Sequence, residues 1–261
     1  MVDFNNKIIL ITGSTSGIGR SCSFAFGKLG AKIALIGRDE DKLSKLKNEL
    51  KLKGIESYFF LFDLSQHEKI PTLVDEIQGR FNDSVDVLIN SAGIAVLGLV
   101  DNLPLSSVKD NFDLNFFAPV GLIMAVLPGM KEKGFGQIIN LFSGVGKRGL
   151  PGGSSYSSSK FALNGFSESI RVELMSDNID VMLFSPGLVN SNFSRNTIIH
   201  GNLKNSFTDG KLLESDMVAS KIVDAATHRK REVTLSIKTR LGILANFYFP
   251  KLLDKYLSKK I

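Results

Sequence analysis

The sequence predicts a doubly wound α/β fold, in which helices cover both faces of a seven-stranded parallel sheet. Short apolar runs end repeatedly in a small or polar residue, and longer segments of helical period follow them. This alternation is typical of βαβ units, which build parallel sheets. The chain has 261 residues, 43% of them apolar, which is enough to fill one large core. Since internal repeats and low-complexity linkers are absent, we expect a single domain over residues 1–261.

The seven predicted strands are short apolar runs bounded by polar or small residues. They cover Lys7–Ile11, Lys32–Ile36, Ser57–Phe62, Val85–Asn90, Gln137–Phe142, Asp180–Phe184 and Glu232–Ile237. The segment Asp39–Lys53 carries Leu43, Leu46 and Leu50 on one stripe, which predicts an amphipathic helix. The region Leu188–Ser215 is rich in Asn, Ser and Gly and follows a strand end, where open α/β sheets bind ligands. We expect it to be a substrate-side loop.

Composition and charge argue against several classes of protein. The 32 basic and 26 acidic side chains are scattered, without a long like-charged block except near the C-terminus, so nucleic-acid binding is not expected. The single cysteine, Cys22, excludes an intramolecular disulfide, and no group of His and Cys residues has metal-ligand spacing. The N-terminus lacks the features of a secretory signal. We therefore expect a cytoplasmic protein without a metal site.

A glycine-rich turn joins the first predicted strand to the first predicted helix. It consists of Gly13, Ser14, Thr15, Ser16, Gly17, Ile18 and Gly19, and a segment of helical period follows from Arg20 to Leu29. Glycines permit a tight turn and close backbone approach, and a helix N-terminus offers unpaired N–H groups. The turn therefore predicts a pyrophosphate site for a dinucleotide cofactor, with an ordinary turn as the alternative.

The end of the second predicted strand bears on the choice between NAD and NADP. In dinucleotide-binding folds, an acidic residue there would hold the ribose 2′-OH of NAD. Here Gly37 leaves no carboxylate at the strand tip, and Arg38 can present its guanidinium to a 2′-phosphate, helped by the Ser14 hydroxyl. The sequence therefore favours NADP(H). In the competing interpretation, Asp39 is the ribose ligand and Arg38 is a surface charge.

Two further strand ends carry candidate cofactor residues. Asp63 and Leu64 follow the third predicted strand, and Asn90, Ala92 and Gly93 stand at the end of the fourth. The carboxylate could accept a hydrogen bond from an adenine amino group, and the small residues would let the backbone approach the cofactor. Strand-end capping turns explain each position equally well when it is taken alone.

A tyrosine and a lysine one helical turn apart form the candidate catalytic pair. Tyr156 and Lys160 lie on the same face of a predicted helix that continues to Leu174. A free tyrosine has a pKa near 10, too high for efficient proton transfer at neutral pH. At ~4 Å and an effective dielectric of ~20, the lysine charge contributes ~4 kcal/mol and would lower that pKa by about three units. Ser143, at the end of the fifth strand, could hydrogen-bond a substrate oxygen, although a turn serine is the alternative.

Together these elements resemble the short-chain dehydrogenase/reductase family over nearly the whole chain. The matching positions are Thr12 to Gly19, Asp63, Asn90 to Gly93, Asn115, Ser143, Tyr156, Lys160, Pro186 and Gly187. Ser91 departs from the pattern, since the family usually has a second Asn there, and Ser191 stands where a threonine is more usual.

The resemblance implies a Rossmann-type fold and a catalytic tetrad of Asn115, Ser143, Tyr156 and Lys160. It implies that Lys160 also binds the nicotinamide ribose and that Asn115 supports a water-linked proton relay. It further places a segment beside the nicotinamide, in which the candidate cofactor residues are Pro186, Gly187, Val189 and Ser191. A homodimer or homotetramer is expected from the same resemblance.

Both lines of reasoning predict an NADP(H)-dependent oxidoreductase that interconverts a carbonyl and a secondary alcohol. The expected pocket residues are Ile94, Val96, Val145, Leu150 and Leu188, which suggest an apolar substrate such as a lipid, steroid or aromatic ketone. One alternative is an NADP-binding sensor or scaffold without turnover. Another is an epimerase or dehydratase of the family's extended branch, which also uses tyrosine and lysine.

The C-terminal extension, residues 238–261, combines apolar and basic side chains. Its apolar stretch, Leu241–Leu257, is interrupted by Asn246 and Pro250 and is shorter than the roughly 20 residues that span a bilayer. Residues 241–261 could instead lie on a membrane surface, which would make the protein membrane-peripheral and its substrate a lipid carbonyl. The alternative is a helix that covers the substrate pocket or a subunit interface.

Overall fold

The computed structural model of the chain describes residues 1–203 and 212–260, so residues 204–211 of the predicted substrate loop lie outside the described residues. The described strands are β1 (Ile8–Thr12), β2 (Lys32–Gly37), β3 (Ser57–Leu61), β4 (Val87–Asn90), β5 (Val96–Gly98), β6 (Gly136–Leu141), β7 (Ile179–Ser185), β8 (Val189–Asn190), β9 (Ile198–His200), β10 (Leu213–Glu214) and β11 (Glu232–Thr234).

The described α-helices alternate with these strands along most of the chain. They are α1 (Gly17–Gly27), α2 (Glu40–Lys51), α3 (Ile70–Phe81), α4 (Leu105–Phe112), α5 (Ala118–Lys133), α6 (Ser154–Glu173), α7 (Asn192–Arg195), α8 (Ser215–Thr227), α9 (Ile237–Tyr248) and α10 (Pro250–Leu257). A π-helical turn, Asp113–Phe117, joins α4 to α5.

The main sheet has seven strands in the order β11-β7-β6-β4-β1-β2-β3, and every adjacent pair is parallel. The predicted fold class is therefore confirmed. The chain proceeds from β1 to β2 in one direction and returns to β4 on the other side of β1. Loops leaving β1 and β4 consequently diverge, which opens a crevice at the carboxyl ends of these strands.

Both faces of the sheet are buried, as the continuous apolar runs in the strands require. In β1, Ile9 and Ile11 belong to one core and Ile8 and Leu10 to the other. The first core is covered by α1, α2 and α8, and the second by α3, α5 and α6. Cys22 packs in the first core, as expected of an unreactive thiol, and burial raises its pKa.

The predicted amphipathic helix is α2. Its Leu43, Leu46 and Leu50 are buried, and Asp39 caps its N-terminus by accepting a hydrogen bond from the Lys42 amide at 3.0 Å. A side-chain oxygen at this position satisfies one of the backbone donors that a helix start leaves unpaired. The capping residue thus fixes the point where the chain leaves β2 and begins α2.

Two predictions about local structure were wrong. The strand predicted over Glu232–Ile237 ends at Thr234, because Ser236 accepts a hydrogen bond from the Thr239 amide at 3.2 Å and begins α9 at Ile237. The segment 188–215 is not simply a loop, since its described part contains β8, α7, β9 and β10. β8 pairs with β10, and β9 pairs with β5.

The helical run Leu105–Lys133, made of α4, the π-turn and α5, is long and apolar enough to cross a membrane by length and composition. Its C-terminal half packs in the second core, where Leu122, Ile123, Val126 and Met130 are fully buried. The core helices of soluble proteins pass the same test, and 33% of the apolar window of this run is buried inside the structure.

Candidate active site

A cleft of about 430 Å³ lies at the carboxyl ends of the parallel strands. Most of the predicted cofactor residues line it: Gly13, Thr15, Ser16, Gly17, Ile18, Arg38, Leu64, Ala92, Gly93, Tyr156, Lys160, Pro186, Gly187, Val189 and Ser191. Ser143 lines the same cleft. The fold therefore brings together residues that are spread over nearly 180 positions of the chain.

Among the described residues, five predicted site residues lie outside the cleft lining: Ser14, Gly19, Asp63, Asn90 and Asn115. Ser14 is fully buried, and its hydroxyl donates to the Ile36 carbonyl at 3.0 Å, so its predicted help to Arg38 is not seen. Asp63 caps a turn by accepting from the Ser65 amide at 3.0 Å. Asn90 is buried and donates to the side-chain oxygen of Asn140 at 2.8 Å.

The glycine-rich turn after β1 has the shape that a phosphate group needs. Gly13 adopts φ +63°, and a Cβ built there would lie 3.0 Å from the Cα of Ala92. Its neighbour Thr12 holds the two loops together, since its Oγ1 accepts from the amides of Ser91 and Ala92, each at 3.0 Å. Sequence reasoning missed this role of Thr12, although the residue stands at the end of a strand.

The N-terminus of α1 faces this cleft. In the described structure Ser16 is extended, with φ −156°, and its side chain makes no capping hydrogen bond to α1. First-turn amides of the helix are therefore available to an anion. The narrow glycine turn and this donor set fit the pyrophosphate of a dinucleotide, which would be held by the backbone between Gly13 and Gly19.

The cation and the carboxylate at the end of β2, Arg38 and Asp39, have different surroundings. Arg38 lines the cleft and is exposed, whereas the carboxylate of Asp39 accepts from the Lys42 amide and lies 2.6 Å from the Lys42 ammonium. These hydrogen bonds lower the pKa of Asp39. The competing interpretation, with Asp39 as the ribose ligand, would require this carboxylate to leave its capping position.

Tyr156 and Lys160 both lie on α6 and face the cleft, as the spacing predicts. Burial raises the pKa of Tyr156 to about 12, and a hydrogen bond from Ser143 works in the opposite direction. The predicted lowering of this pKa by Lys160 is therefore not seen. The Lys160 ammonium lies 5.9 Å from the centre of the tyrosine ring and donates to the Leu141 carbonyl at 3.0 Å, and burial lowers its own pKa to about 8.

Asn115 sits in the π-helical turn between α4 and α5 and is fully buried. Its side-chain oxygen accepts from the Ile94 amide at 3.0 Å, and its Nδ2 donates to the Ile94 carbonyl at 2.9 Å and to the Ser159 hydroxyl at 3.1 Å. A Cβ on Gly93 would lie 2.9 Å from the Asn115 oxygen and 3.9 Å from the Lys160 ammonium. Asn115 therefore fixes the loop after β4 directly beside Lys160.

Comparison with known proteins assigns the chain to a family. A family model described as short chain dehydrogenase matches residues 7–200. A dehydrogenase/reductase SDR family member 7B from Xenopus tropicalis is 33% identical over 242 residues, which cover 88% of this chain and 77% of that protein. The chain belongs to the short-chain dehydrogenase/reductase family. As a member of this family, it is an oxidoreductase that acts on CH–OH or carbonyl groups.

Solved structures agree with this assignment. A short-chain dehydrogenase/reductase from Burkholderia phymatum in complex with NAD has a TM-score of 0.88 at 21% identity, covering 97% of this chain and 96% of its own. That likeness concerns the fold. A metagenomic short-chain oxidoreductase in complex with NADP has a TM-score of 0.75 at 26% identity, covering 90% of this chain and 98% of its own.

Sequence reasoning did not predict several parts of the reductase cleft. Phe193, on the short helix α7, has its ring centre 5.9 Å from that of Tyr156. Leu97 and Ile199 come from the paired strands β5 and β9 and line the same wall. Of the five expected pocket residues, Ile94, Val145 and Leu188 line the cleft, whereas Val96 and Leu150 are not among its described lining.

Proposed function

We propose that this short-chain dehydrogenase/reductase uses NADP(H) to interconvert a carbonyl and a secondary alcohol on an apolar substrate. The observation that carries the proposal is the position of Ser143, Tyr156 and Lys160 in the same cleft as the N-terminus of α1. A cofactor held at the glycine-rich turn and a carbonyl bound at Tyr156 would therefore occupy one continuous space.

Each residue of the candidate catalytic group has a separate role in the proposed reaction. When bound, the nicotinamide supplies or accepts the hydride. Tyr156, whose pKa of about 12 keeps the phenol protonated at neutral pH, donates a proton to the substrate oxygen in the direction of reduction. Ser143 hydrogen-bonds that oxygen as negative charge develops on it. Asn115 keeps the loop at Gly93 beside the Lys160 ammonium, which would also hold the ribose hydroxyls.

Arg38 supports the choice of NADP(H) over NAD(H). It is an exposed guanidinium on the cleft wall at the end of β2, and the nearby Asp39 is held by Lys42. A guanidinium recognises phosphate through paired, charge-assisted hydrogen bonds. The NADP complex of the metagenomic relative agrees with this choice, since that protein is 26% identical to this chain.

The walls of the cleft support an apolar substrate. Phe193 lies beside the Tyr156 ring, and the apolar side chains of Leu97, Val145, Leu188 and Ile199 line the same cleft. A lipid, steroid or aromatic ketone would bury its apolar body against these side chains while its carbonyl meets Tyr156 and Ser143.

We also propose that the protein works in the cytoplasm as a homodimer or homotetramer. Size-exclusion chromatography with light scattering would test the oligomeric state.

The cofactor proposal is tested with Arg38→Ala. A charge-assisted pair with phosphate contributes about 1.5–3 kcal/mol, so the Kd for NADPH should rise roughly 10- to 150-fold while the Kd for NADH changes little. Lys45→Ala removes an exposed cation on α2 that does not line the cleft and is the matched control, for which both Kd values should stay unchanged. Equal losses for both cofactors with Arg38→Ala would defeat the proposal.

The reaction itself is tested by following NADPH oxidation across a panel of ketones of increasing apolar size. Turnover with apolar ketones supports the proposal. Tight NADPH binding without turnover on any carbonyl would instead support a sensor or scaffold. Retained NAD with no net cofactor turnover would support an epimerase or dehydratase.

A further inference from the structure

Helices α9 and α10 present an exposed apolar face, which we call the C-terminal stripe. Its eight large side chains are each 54–77% exposed: Ile237, Leu241, Leu244, Phe247, Tyr248, Phe249, Leu252 and Tyr256. Within the part of the chain that the structure describes, neither helix contributes a fully buried residue. Contiguous exposed apolar surface of this kind commonly marks an interaction site.

The spacing of these residues gives each of the two helices an apolar face. On α9, Ile237, Leu241, Leu244 and Tyr248 follow one another at intervals of four, three and four residues. Phe249, Leu252 and Tyr256 continue the pattern at intervals of three and four. Residues at such intervals share one face of a helix, so the apolar side chains point in a common direction on each helix.

The other side of α9 is fixed to the body of the protein. A Cβ on Gly144 would lie 2.1 Å from the methyl carbon of Thr239, so the helix backbone approaches this glycine closely. On α10, Asp254 pairs with Arg148 at 2.5 Å. Gly144 follows Ser143 directly, so the stripe is held beside the active-site cleft and faces away from the sheet.

The charges around the stripe favour one kind of partner. Residues 237–259 contain five basic side chains and one acidic side chain, Asp254, which is paired with Arg148. Lys255 and Lys259 each follow an apolar stripe residue, Leu252 and Tyr256, by three positions. A second copy joined through the same face in a two-fold dimer would bring these like charges together. An anionic lipid surface would bind both the apolar side chains and the lysines.

We propose that the C-terminal stripe docks onto an anionic lipid surface, with its apolar side chains in the interface and its lysines against lipid head groups. The two helices have 12 and 8 residues and are separated at Pro250, so they lie on the surface and do not span it. Docking would place the mouth of the cleft at the membrane, where apolar substrates concentrate. The proposal does not depend on the reaction proposed above.

Vesicle flotation with the full-length protein tests the proposal. The wild type should float with vesicles containing about one-third phosphatidylserine and bind phosphatidylcholine vesicles at least about tenfold more weakly. Leu244→Glu combined with Phe247→Glu should abolish flotation. Lys251→Glu combined with Lys255→Glu should weaken binding to phosphatidylserine vesicles by about tenfold or more, and added salt should weaken wild-type binding.

Two controls separate docking from other effects. Leu52→Glu combined with Leu105→Glu changes exposed apolar residues elsewhere, 86% and 69% exposed, and should leave flotation unchanged. Tyr156→Phe should float like the wild type, because docking does not need the reaction. The proposal is overturned if the wild type does not bind anionic vesicles. It is also overturned if the protein with both Leu244→Glu and Phe247→Glu still floats with anionic vesicles, even where the two changes convert a dimer into monomers.

Discussion

Lys160 is a buried ammonium group, with 6% of its surface exposed, and burial lowers its pKa from 10.5 to about 8. A shift of this size corresponds to roughly 3 kcal/mol of unfavourable free energy while the lysine is protonated. The hydrogen bond to the Leu141 carbonyl offsets part of this cost. Lys160 is therefore retained at the expense of stability, as is common at functional sites.

We expect Lys160→Met to raise the free energy of unfolding by about 1–2 kcal/mol near pH 7 while removing catalysis. Because the folded pKa lies below the unfolded pKa, the cost in the wild type is full below pH 8. It disappears as the pH rises from about 8 to 10.5, so the stability difference between the two proteins should narrow over that range. Urea unfolding at several pH values measures it, and equal stability near pH 7 would contradict the burial argument.

The same residues predict how reduction depends on pH. Burial favours the protonated phenol of Tyr156, whereas Lys160 loses its charge as the pH rises through about 8. Since the charge of Lys160 would help to bind the ribose and to stabilise a developing phenolate, kcat/KM for reduction should fall above about pH 8. Initial rates across a pH series test this, and a constant kcat/KM to pH 10 would show that the charge is not needed.

At the scale of elements, the short helix α7 forms one wall of the substrate side. Phe193 on α7 contacts the Tyr156 ring and is partly exposed. Phe193→Ala should raise KM for an apolar ketone roughly five- to tenfold, because part of an aromatic contact surface is lost, and leave the Kd for NADPH unchanged. Phe161→Ala, at an exposed position of α6, is the control. An unchanged KM in the Phe193 variant would place the substrate elsewhere.

The elements that the sequence predicts well are those with a strong local pattern. All seven strands of the main sheet were predicted because their apolar runs are continuous, and α2 because its leucines recur with helical period. The strands β5 and β9 were missed because each has three residues and exists through pairing between positions about 100 residues apart. The end of β11 was missed because Ser236 begins a helix where the apolar residues suggested a longer strand.

The predictions about the site also succeeded for local features and failed for features that depend on tertiary contacts. The glycine turn and the spacing of Tyr156 and Lys160 are local features of the sequence, and in the structure most of the turn lines the same cleft as Tyr156 and Lys160. The pKa of Tyr156 was predicted to fall, but it rises, because burial depends on tertiary packing around the ring. The partner of the Ser14 hydroxyl, the Ile36 carbonyl, could likewise not be read from either residue alone.

At the scale of the whole molecule, an ionic cluster around the buried Asp86 lies at the amino ends of the strands, opposite the cleft. Asp86 is 2% exposed, accepts from the Ile8 amide at 2.8 Å, and lies 3.2 Å from both Lys7 and Lys133. It joins β1, the approach to β4, and the end of α5. The amino ends of the strands therefore carry an ionic cluster that stabilises the fold, whereas the carboxyl ends carry the residues of the candidate active site.

Asp86→Ala should lower the free energy of unfolding by about 1–3 kcal/mol, because it leaves the buried Ile8 amide without its acceptor and removes a carboxylate partner from Lys7 and Lys133. At temperatures where the variant remains folded, kcat and the Kd for NADPH should match the wild type. Thermal unfolding and steady-state kinetics on the same preparation test this separation. A large loss of kcat in fully folded protein would show that the ionic cluster around Asp86 also affects the active site.

The central claim is that Tyr156 transfers the proton in a nicotinamide-dependent reduction. Tyr156→Phe keeps the aromatic ring and removes the hydroxyl, so the rate of the chemical step, measured by single-turnover NADPH oxidation with an accepted ketone, should fall by a factor of about 10² to 10⁴. The Kd for NADPH, measured by fluorescence titration, should change less than about threefold. A near-normal single-turnover rate in Tyr156→Phe would contradict the account and require another proton donor.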